Sequence, residues 1–158
     1  MTKRTKTSKR GCLIIVVILI EIICYIVYEV IELNYNIMSQ SRAHDLAKAY
    51  VLQVIGIVRN AEDVDWNNFQ LEYEPREWRK NEDGLHVDCW GNPYRVYMTL
   101  AEEDDDDLSL KIRVSFSGRD GVWGTKDDIE IPHGYLLRKP LDWPKRKEAL
   151  LVTNARLQ

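Results

Sequence analysis

The chain has 158 residues, 45% of them hydrophobic, and a formal net charge of −3 at neutral pH. This length fits one modest domain plus an anchor. The charge is unevenly spread: residues 1–10 carry five Lys or Arg and no acid, whereas residues 34–158 hold 17 basic and 22 acidic residues, a net charge of −5. An acidic domain without a basic stripe is not expected to bind nucleic acid.

An apolar segment follows the basic arm of residues 1–10. It runs from Gly11 to about Ile31 and is broken only by Glu21 and Glu29. About 20 apolar residues cross a bilayer as a helix, so residues 11–33 predict a transmembrane helix. The segment is longer than an ordinary secretory signal peptide and lacks a small-residue cleavage site. The positive-inside rule keeps residues 1–10 in the cytoplasm and places the remainder on the far side.

Glu21 is an unusual residue for such a segment. A carboxylate near the middle of a bilayer costs roughly 2.5–3.5 kcal/mol on insertion scales and usually has a partner. One interpretation is a protonated side chain that its apolar neighbours tolerate. The other is a contact between helices of an assembly, and both stay open.

The helix is predicted to continue beyond the membrane. Neither Pro nor Gly interrupts residues 33–54. Apolar residues recur there at intervals of three and four, which predicts one buried face: Ile37, Leu46, Tyr50, Val51, Val54, Ile55 and Val58. Residues 34–60 are therefore the amphipathic half of one long helix. Residues 61–84 predict a loop that lays aromatic side chains on the core, and Asn81-Glu-Asp-Gly is a turn signal.

The period of the pattern changes in the second half of the chain. Alternation over residues 94–100 and 108–116 predicts two antiparallel strands, joined by the acidic hairpin loop Ala101-Glu-Glu-Asp-Asp-Asp-Asp. A short third strand over residues 129–131 is expected to end at Pro132 and Gly134. Residues 145–157 predict a final amphipathic helix. The predicted fold is therefore α+β, a long N-terminal helix packed on a small antiparallel sheet, with residues 61–158 forming the β domain and its tail.

A glycine-rich loop lies between the second and third predicted strands. It reads Ser115-Phe-Ser-Gly-Arg-Asp-Gly-Val-Trp-Gly-Thr-Lys-Asp-Asp-Ile. Its glycines are three residues apart and its carboxylates bracket the last two of them: Gly118, Gly121, Gly124, Asp120, Asp127 and Asp128. Because glycine permits positive φ, such a loop can curl and turn carbonyl and carboxylate oxygens toward one point. Calcium takes roughly 6–8 oxygen ligands, so the pattern fits a hard divalent cation, although a tight metal-free turn is the alternative and the spacing is not that of an EF-hand.

A second motif, Asp88-Cys-Trp-Gly-Asn-Pro-Tyr, leads into the first predicted strand, and together with the glycine loop it resembles the major pseudopilin of type II secretion systems. This motif resembles the Asp-Pro-Trp-Gly-Asn-Pro-Tyr box of that family. The glycine loop resembles its Ser-x-Gly-x-Asp-Gly-x-x-Gly-Thr-x-Asp-Asp-Ile calcium loop. Both occur in the family's order behind a long hydrophobic helix. The resemblance covers residues 11–60 by architecture and residues 85–131 by motif.

The resemblance implies a pilin-like fold whose loop binds calcium through Asp120, Asp127 and Asp128, with carbonyls near Ser115 and Ser117. It implies a structural role rather than an enzymatic one, in a short periplasmic fibre that pushes folded proteins through the outer membrane. The first half of the helix would join the chain to itself or to other pseudopilins. The implied location is the bacterial inner membrane, with the N-terminus cytoplasmic and the C-terminal domain periplasmic. Neither nucleic acid nor a small-molecule substrate is implied.

The N-terminus departs from the family pattern. Family members have Gly followed by Phe-Thr-Leu-Ile-Glu, with cleavage after the Gly. Here Gly11 is followed by Cys12-Leu-Ile-Ile-Val16, so the fifth position is Val16 and the processing signal is degenerate. This leaves a second hypothesis: a stand-alone, single-pass, membrane-anchored calcium-binding module that does not assemble into a fibre.

The remaining reactive residues support no third function. Cys89 lies three residues after His86, and a histidine can activate a nearby thiol. No oxyanion-type glycine motif accompanies the pair, so an enzyme is not expected. His44 and His133 are isolated, without metal-ligand spacing around them. Three cysteines do not form a disulfide framework.

Overall fold

The computed structural model of the protein describes residues 7–60, 65, 66, 69, 71, 72, 74, 78–143, 150 and 152–157. A single long helix, α1 (Thr7–Asn60), precedes four strands: β1 (Arg95–Glu102), β2 (Asp107–Phe116), β3 (Ile129–Arg138) and β4 (Val152–Arg156). The chain divides into two compact units, one ending at Ile37 and the other beginning at Met38. Residues 1–6 of the predicted basic arm lie outside the described part.

The first unit is an apolar stretch of α1. Its large apolar side chains are exposed on all sides of the helix, from Leu13 to Ile37. The most apolar 18-residue window has a mean hydropathy of 2.8. By length and composition this helix is able to cross a membrane. A membrane anchor and a signal sequence both have these properties.

The second unit is built on a four-stranded sheet of order β3-β2-β1-β4, in which every neighbouring pair is antiparallel. Strict alternation in β1 buries Val96, Met98 and Leu100 on one face. That face shares one core with apolar positions of α1, of which the sequence predicted Leu46, Tyr50, Val51, Val54 and Val58. Ile55 packs against this core from a partly buried position, whereas the prediction for Ile37 is wrong because its side chain is exposed. The predicted α+β layout of a long helix and an antiparallel sheet is confirmed.

Strand β3 is longer than the sequence predicts. The expectation that it ends at Pro132 and Gly134 is wrong, because pairing with β2 continues through Arg113–Pro132 and Lys111–Gly134 to Arg138. β3 is an edge strand, so only one of its two sides takes part in the ladder. A proline, which lacks the N–H donor, is tolerated at such an edge.

The C-terminal segment contains a strand where a helix was predicted. Val152–Arg156 form β4, which pairs with β1 through Leu100–Val152 and Tyr97–Arg156, so the helix predicted over residues 145–157 is wrong at its end. Residues 145–149 and 151 of that prediction lie outside the described part. The free edge of β1 supplies backbone partners, and such tertiary pairing overrides a weak local helix preference.

The segment that follows α1 covers the core as expected. Phe69 and Leu71 are buried, while Trp66 and Trp78 pack against the core from partly exposed positions. The predicted turn at Asn81 is confirmed: the Leu85 amide donates to Asn81 Oδ1 over 2.9 Å, and Gly84 has a φ of 78°. Tyr73 and Pro75, also placed in this loop by the sequence, lie outside the described residues.

Candidate functional site

The glycine-rich loop joins β2 to β3. All three of its glycines have positive φ: 65° at Gly118, 67° at Gly121 and 92° at Gly124. L-residues rarely adopt this conformation, so these positions fix the curl of the loop. The curl predicted from the spacing of the glycines is confirmed.

Asp127 lies at the centre of this loop. Its Oδ1 accepts a 2.6 Å hydrogen bond from Thr125 Oγ1, and its Oδ2 accepts a 3.4 Å hydrogen bond from the Asp120 amide. The Thr125 hydrogen bond is the main reason that the pKa of Asp127 lies below its ordinary value. A Cβ atom added at Gly118 would lie 2.5 Å from Asp127 Oδ2 and 2.6 Å from the Asp127 main-chain oxygen. Only glycine therefore fits at position 118.

Two oxygen atoms in and beside the loop are buried without a hydrogen-bond partner in the described part of the chain: Ser117 Oγ and Asp128 Oδ1. The other carboxylate oxygen, Asp128 Oδ2, accepts a 2.6 Å hydrogen bond from the Gly124 amide. Buried polar atoms nearly always have a partner, and a bound cation is one way to supply it. The oxygen atoms of Ser117, Asp127 and Asp128 are the donor type that calcium prefers. The chemistry of these donors therefore fits a calcium ion.

The three carboxylates nevertheless do not converge into one cluster. Among the described residues, no group of three His, Cys, Asp or Glu side chains is arranged to hold a metal ion. Asp120 turns its Oδ1 toward the Val122 amide, at 2.8 Å, and Ser115 lies within β2 opposite Arg95. A calcium ion in this loop would need carbonyl and hydroxyl oxygens besides the carboxylates.

The motif Asp88–Tyr94, which we call the box, is organised by the buried side chain of Asp88. Asp88 Oδ1 accepts hydrogen bonds from the amides of Trp90 at 2.9 Å and Asn92 at 2.8 Å. The Asp88 amide in turn donates to the Asn92 carbonyl over 2.9 Å. Burial raises the pKa of Asp88, because a charged carboxylate is poorly solvated there. This turn holds Asn92 in a fixed place.

The box contacts both the helix and the glycine loop. The Cys89 amide donates to Ser39 Oγ and the Tyr94 hydroxyl donates to the Ser39 carbonyl, each over 3.0 Å. On its other side, Asn92 Nδ2 donates to the Gly118 carbonyl over 2.7 Å. A Cβ atom at Gly121 would lie 2.9 Å from Asn92 Oδ1, so glycine is needed here as well. The two motifs recognised in the sequence are thus one connected structure: the predicted pairing of the two strands between them makes them neighbours, and the hydrogen bond that joins them was not predicted.

The histidines also have neighbours that the sequence did not reveal. The rings of His44 on α1 and His133 on β3 lie 4.5 Å apart between centroids. Burial, followed by the charges of His44 and Lys48, lowers the pKa of His133. His86 Nε2 lies 3.2 Å from Glu74 Oε1. No local spacing links these residues, so only the tertiary structure brings them together.

No family model matches the chain, and no curated protein or solved structure is significantly similar to it. The resemblance to pseudopilins therefore rests on the two motifs, their order and the long apolar helix before them. The contact between the motifs through Asn92 is an observation independent of that resemblance.

Proposed function

We propose that this chain is a structural, membrane-anchored subunit of a type II secretion pseudopilus or a related pilus-like assembly, with a β domain stabilised by calcium. The observation that carries the proposal is the 2.7 Å hydrogen bond from Asn92 to Gly118, which joins the two motifs on which the resemblance depends. The β1–β2 hairpin places the two motifs side by side, and this hydrogen bond couples them, which supports treating them as one functional unit.

Calcium would act as a mechanical link in this proposal. Asp127 and Asp128 would hold it, with Ser117 and the carbonyl near Ser115 as further oxygen donors, and Asp120 would join them by turning from the Val122 amide toward the ion. Three carboxylates in one short loop repel each other, and a bound cation offsets that repulsion. An ion bound only by the folded state stabilises it by about 2.7 kcal/mol at a hundredfold excess over Kd.

The apolar part of α1 would anchor the subunit and join it to other copies or other pseudopilins. Five Lys or Arg in residues 1–10 favour a cytoplasmic N-terminus and a β domain on the periplasmic side of the bacterial inner membrane. In this arrangement Glu21 would lie within the bilayer, where a carboxylate usually has a partner on a neighbouring helix.

The alternative is a stand-alone membrane-anchored calcium module. It is favoured by the residues after Gly11, where Val16 stands at the position of the family's Glu. The two functions differ in two measurable ways. The pseudopilus subunit predicts removal of residues 1–11 and self-association through α1. The stand-alone module predicts an intact N-terminal arm and a chain that stays monomeric in the membrane.

A thermal melt of the full chain in detergent micelles tests the calcium part. The midpoint, followed by tryptophan fluorescence, is expected to rise by roughly 10 °C at a hundredfold excess of calcium and to fall back with chelator. Magnesium is not expected to reproduce the rise, because it requires a smaller octahedral site.

Two variants sharpen this test. Asp127→Ala is expected to remove the calcium response, whereas Asp105→Ala, which removes an exposed carboxylate from the β1–β2 loop, should leave it intact. A normal response in Asp127→Ala would exclude Asp127 as a ligand. If the unmodified chain showed no response at all, the calcium role would be wrong and only the anchored domain would stand.

A further inference from the structure

The face of the sheet opposite the core carries a groove. In β1 the partly exposed residues Arg95, Tyr97 and Thr99 alternate with the buried ones, so they lie on this outer face. Two adjoining cavities, of about 270 and 600 Å³, share Tyr97 and Arg113. We call this surface the outer groove and define it by Arg95, Tyr97, Thr99, Lys111, Arg113 and Trp123.

The outer groove is shaped by its neighbours in β3. Arg113 lies opposite Pro132 and Lys111 lies opposite Gly134. Neither partner has a long side chain, so β3 leaves this part of the face open. The strand positions from the Arg95–Ser115 pair to the Thr99–Lys111 pair span about 13 Å, the length of a four-residue extended segment.

The outer groove carries three basic side chains, Arg95, Lys111 and Arg113, against the carboxylates of Asp128 and Glu130 that also line its cavities, which leaves a surplus of one positive charge in an acidic domain. The Arg95 guanidinium lies 3.8 Å above the centre of the Trp123 ring, and that of Arg113 lies 5.0 Å from Tyr97. Arg113 also pairs with Glu130, Nε to Oε2, over 3.5 Å. In the described part of the chain neither Arg95 nor Lys111 makes an ion pair. Stacking engages the face of a guanidinium and leaves its N–H edge available, so the groove is suited to carboxylate groups.

The same chain presents a rigid acidic loop. Residues 103–106 are one Glu and three Asp, all exposed, at the turn between β1 and β2. Asp104 Oδ1 accepts hydrogen bonds from the amides of Asp106 at 2.9 Å and Asp107 at 2.7 Å. Lys139 Nζ contacts the main-chain oxygens of Asp104 and Asp105, and its ion pair is with Glu102 Oε1 over 3.3 Å. A loop already held in one conformation loses little entropy on binding.

We propose that the acidic loop of one copy docks in the outer groove of a second copy. The contact cannot form within one chain, because the loop is the tight connection at the end of the two strands that build the groove. Since loop and groove are different surfaces, each copy offers both, and the contact repeats head to tail. This inference rests on the proposed role as a subunit of an assembly, although it does not require calcium.

Disulfide crosslinking of the full chain in detergent micelles tests the contact. The native cysteines are replaced by serine, and two differently tagged copies are mixed under mild oxidation. One copy carries Thr99→Cys in the groove and the other carries Asp106→Cys in the loop. We expect a crosslink between these two copies, and none when the first partner is replaced by Leu52→Cys, an exposed position on α1.

Charge-reversal variants show whether the crosslink forms through a specific contact or through random collisions between copies. Lys111→Glu is expected to lower the crosslinking yield about fivefold at low salt, the effect of one exposed ion pair at the upper end of the measured range. Asp105→Lys in the loop of the other copy should restore the yield. Lys48→Glu, the same change on α1, should leave it unaltered. High salt screens exposed charges, so it should lower the crosslinking yield between copies that carry no charge change.

Three results would overturn the proposal. The first is a yield that Lys111→Glu lowers no more than Lys48→Glu, or that Asp105→Lys does not restore. The second is a crosslink between two copies that both carry Thr99→Cys, which would mean face-to-face packing. The third is a groove that binds a soluble polyglutamate peptide while no crosslink to the loop forms, which would mean a foreign acidic partner. In each case an intact calcium response in the same micelles would leave the proposed function standing.

Discussion

Replacing Gly118 by alanine tests whether the positive φ of this residue and its contact with Asp127 fix the conformation of the glycine loop. An L-residue at its φ of 65° costs roughly 1–2 kcal/mol. The new Cβ would also lie 2.5 Å from Asp127 Oδ2 and 2.6 Å from the Asp127 main-chain oxygen, so Asp127 has to move. Moving it breaks the 2.6 Å hydrogen bond from Thr125 to a carboxylate, worth about 1.5–3 kcal/mol. The expected loss of unfolding free energy is therefore about 2.5–5 kcal/mol.

Gly124→Ala is the matched control. Gly124 has a φ of 92°, but nothing lies within 4 Å of a Cβ atom there. This variant should lose only the roughly 1–2 kcal/mol of backbone strain. Urea unfolding of the full chain in micelles, followed by tryptophan fluorescence, gives both losses, and their difference isolates the contact with Asp127. Equal losses in the two variants would refute the reasoning, because Asp127 would then not be fixed against position 118.

Two further predictions concern Asn92 and His133. Asn92→Asp replaces the amide donor that faces the Gly118 carbonyl oxygen, so we expect the free energy of unfolding to fall by about 1–3 kcal/mol in the same urea titration. Asn81→Asp keeps the side-chain oxygen that accepts from the Leu85 amide, so its free energy of unfolding should change little. Equal losses in these two variants would contradict the role given to Asn92. The pKa of His133 is lowered by burial and by His44 and Lys48, so its contribution to stability is complete above a pH of about 6.5 and is lost as the pH falls through its lowered pKa. His133→Gln should flatten the fall in stability below about pH 6.5, and an unchanged slope would count against this prediction.

The sequence correctly predicted the elements that follow from the spacing of apolar residues or from the conformational preference of single residues. The buried face of α1 follows from apolar residues such as Tyr50 and Val54 at helical spacing, and β1 follows from its alternation. The glycine positions were predictable for the same reason, since positive φ is a property of single residues. The errors occur where tertiary pairing decides. Pro132 signals a strand end but is accommodated at a sheet edge, and Val152 belongs to a strand only because β1 offers it a partner.

The connections within the candidate site could not be predicted from these rules. Asp88 and Asn92 were parts of a motif in the sequence, but the hydrogen bond from Asn92 to Gly118 joins residues on different elements. Ser39 on α1 accepts a hydrogen bond from the Cys89 amide of the box. The sequence did not indicate this role, because a single serine in a helix is common. The contact between His44 and His133 likewise depends on how β3 lies against the helix.

The contacts of the box have a consequence for the order of folding. They tie Ser39 to Cys89 and Tyr94 across separations of 50 and 55 residues, and Asn92 passes this link on to Gly118 in the glycine loop. Contacts between residues distant in sequence form slowly, because the intervening chain must first be ordered. We therefore expect the β1–β2 hairpin to form early and the glycine loop to reach its final shape late, after the helix has met the box. A newly made chain would pass through a state with strands in place and its oxygen-rich loop still open.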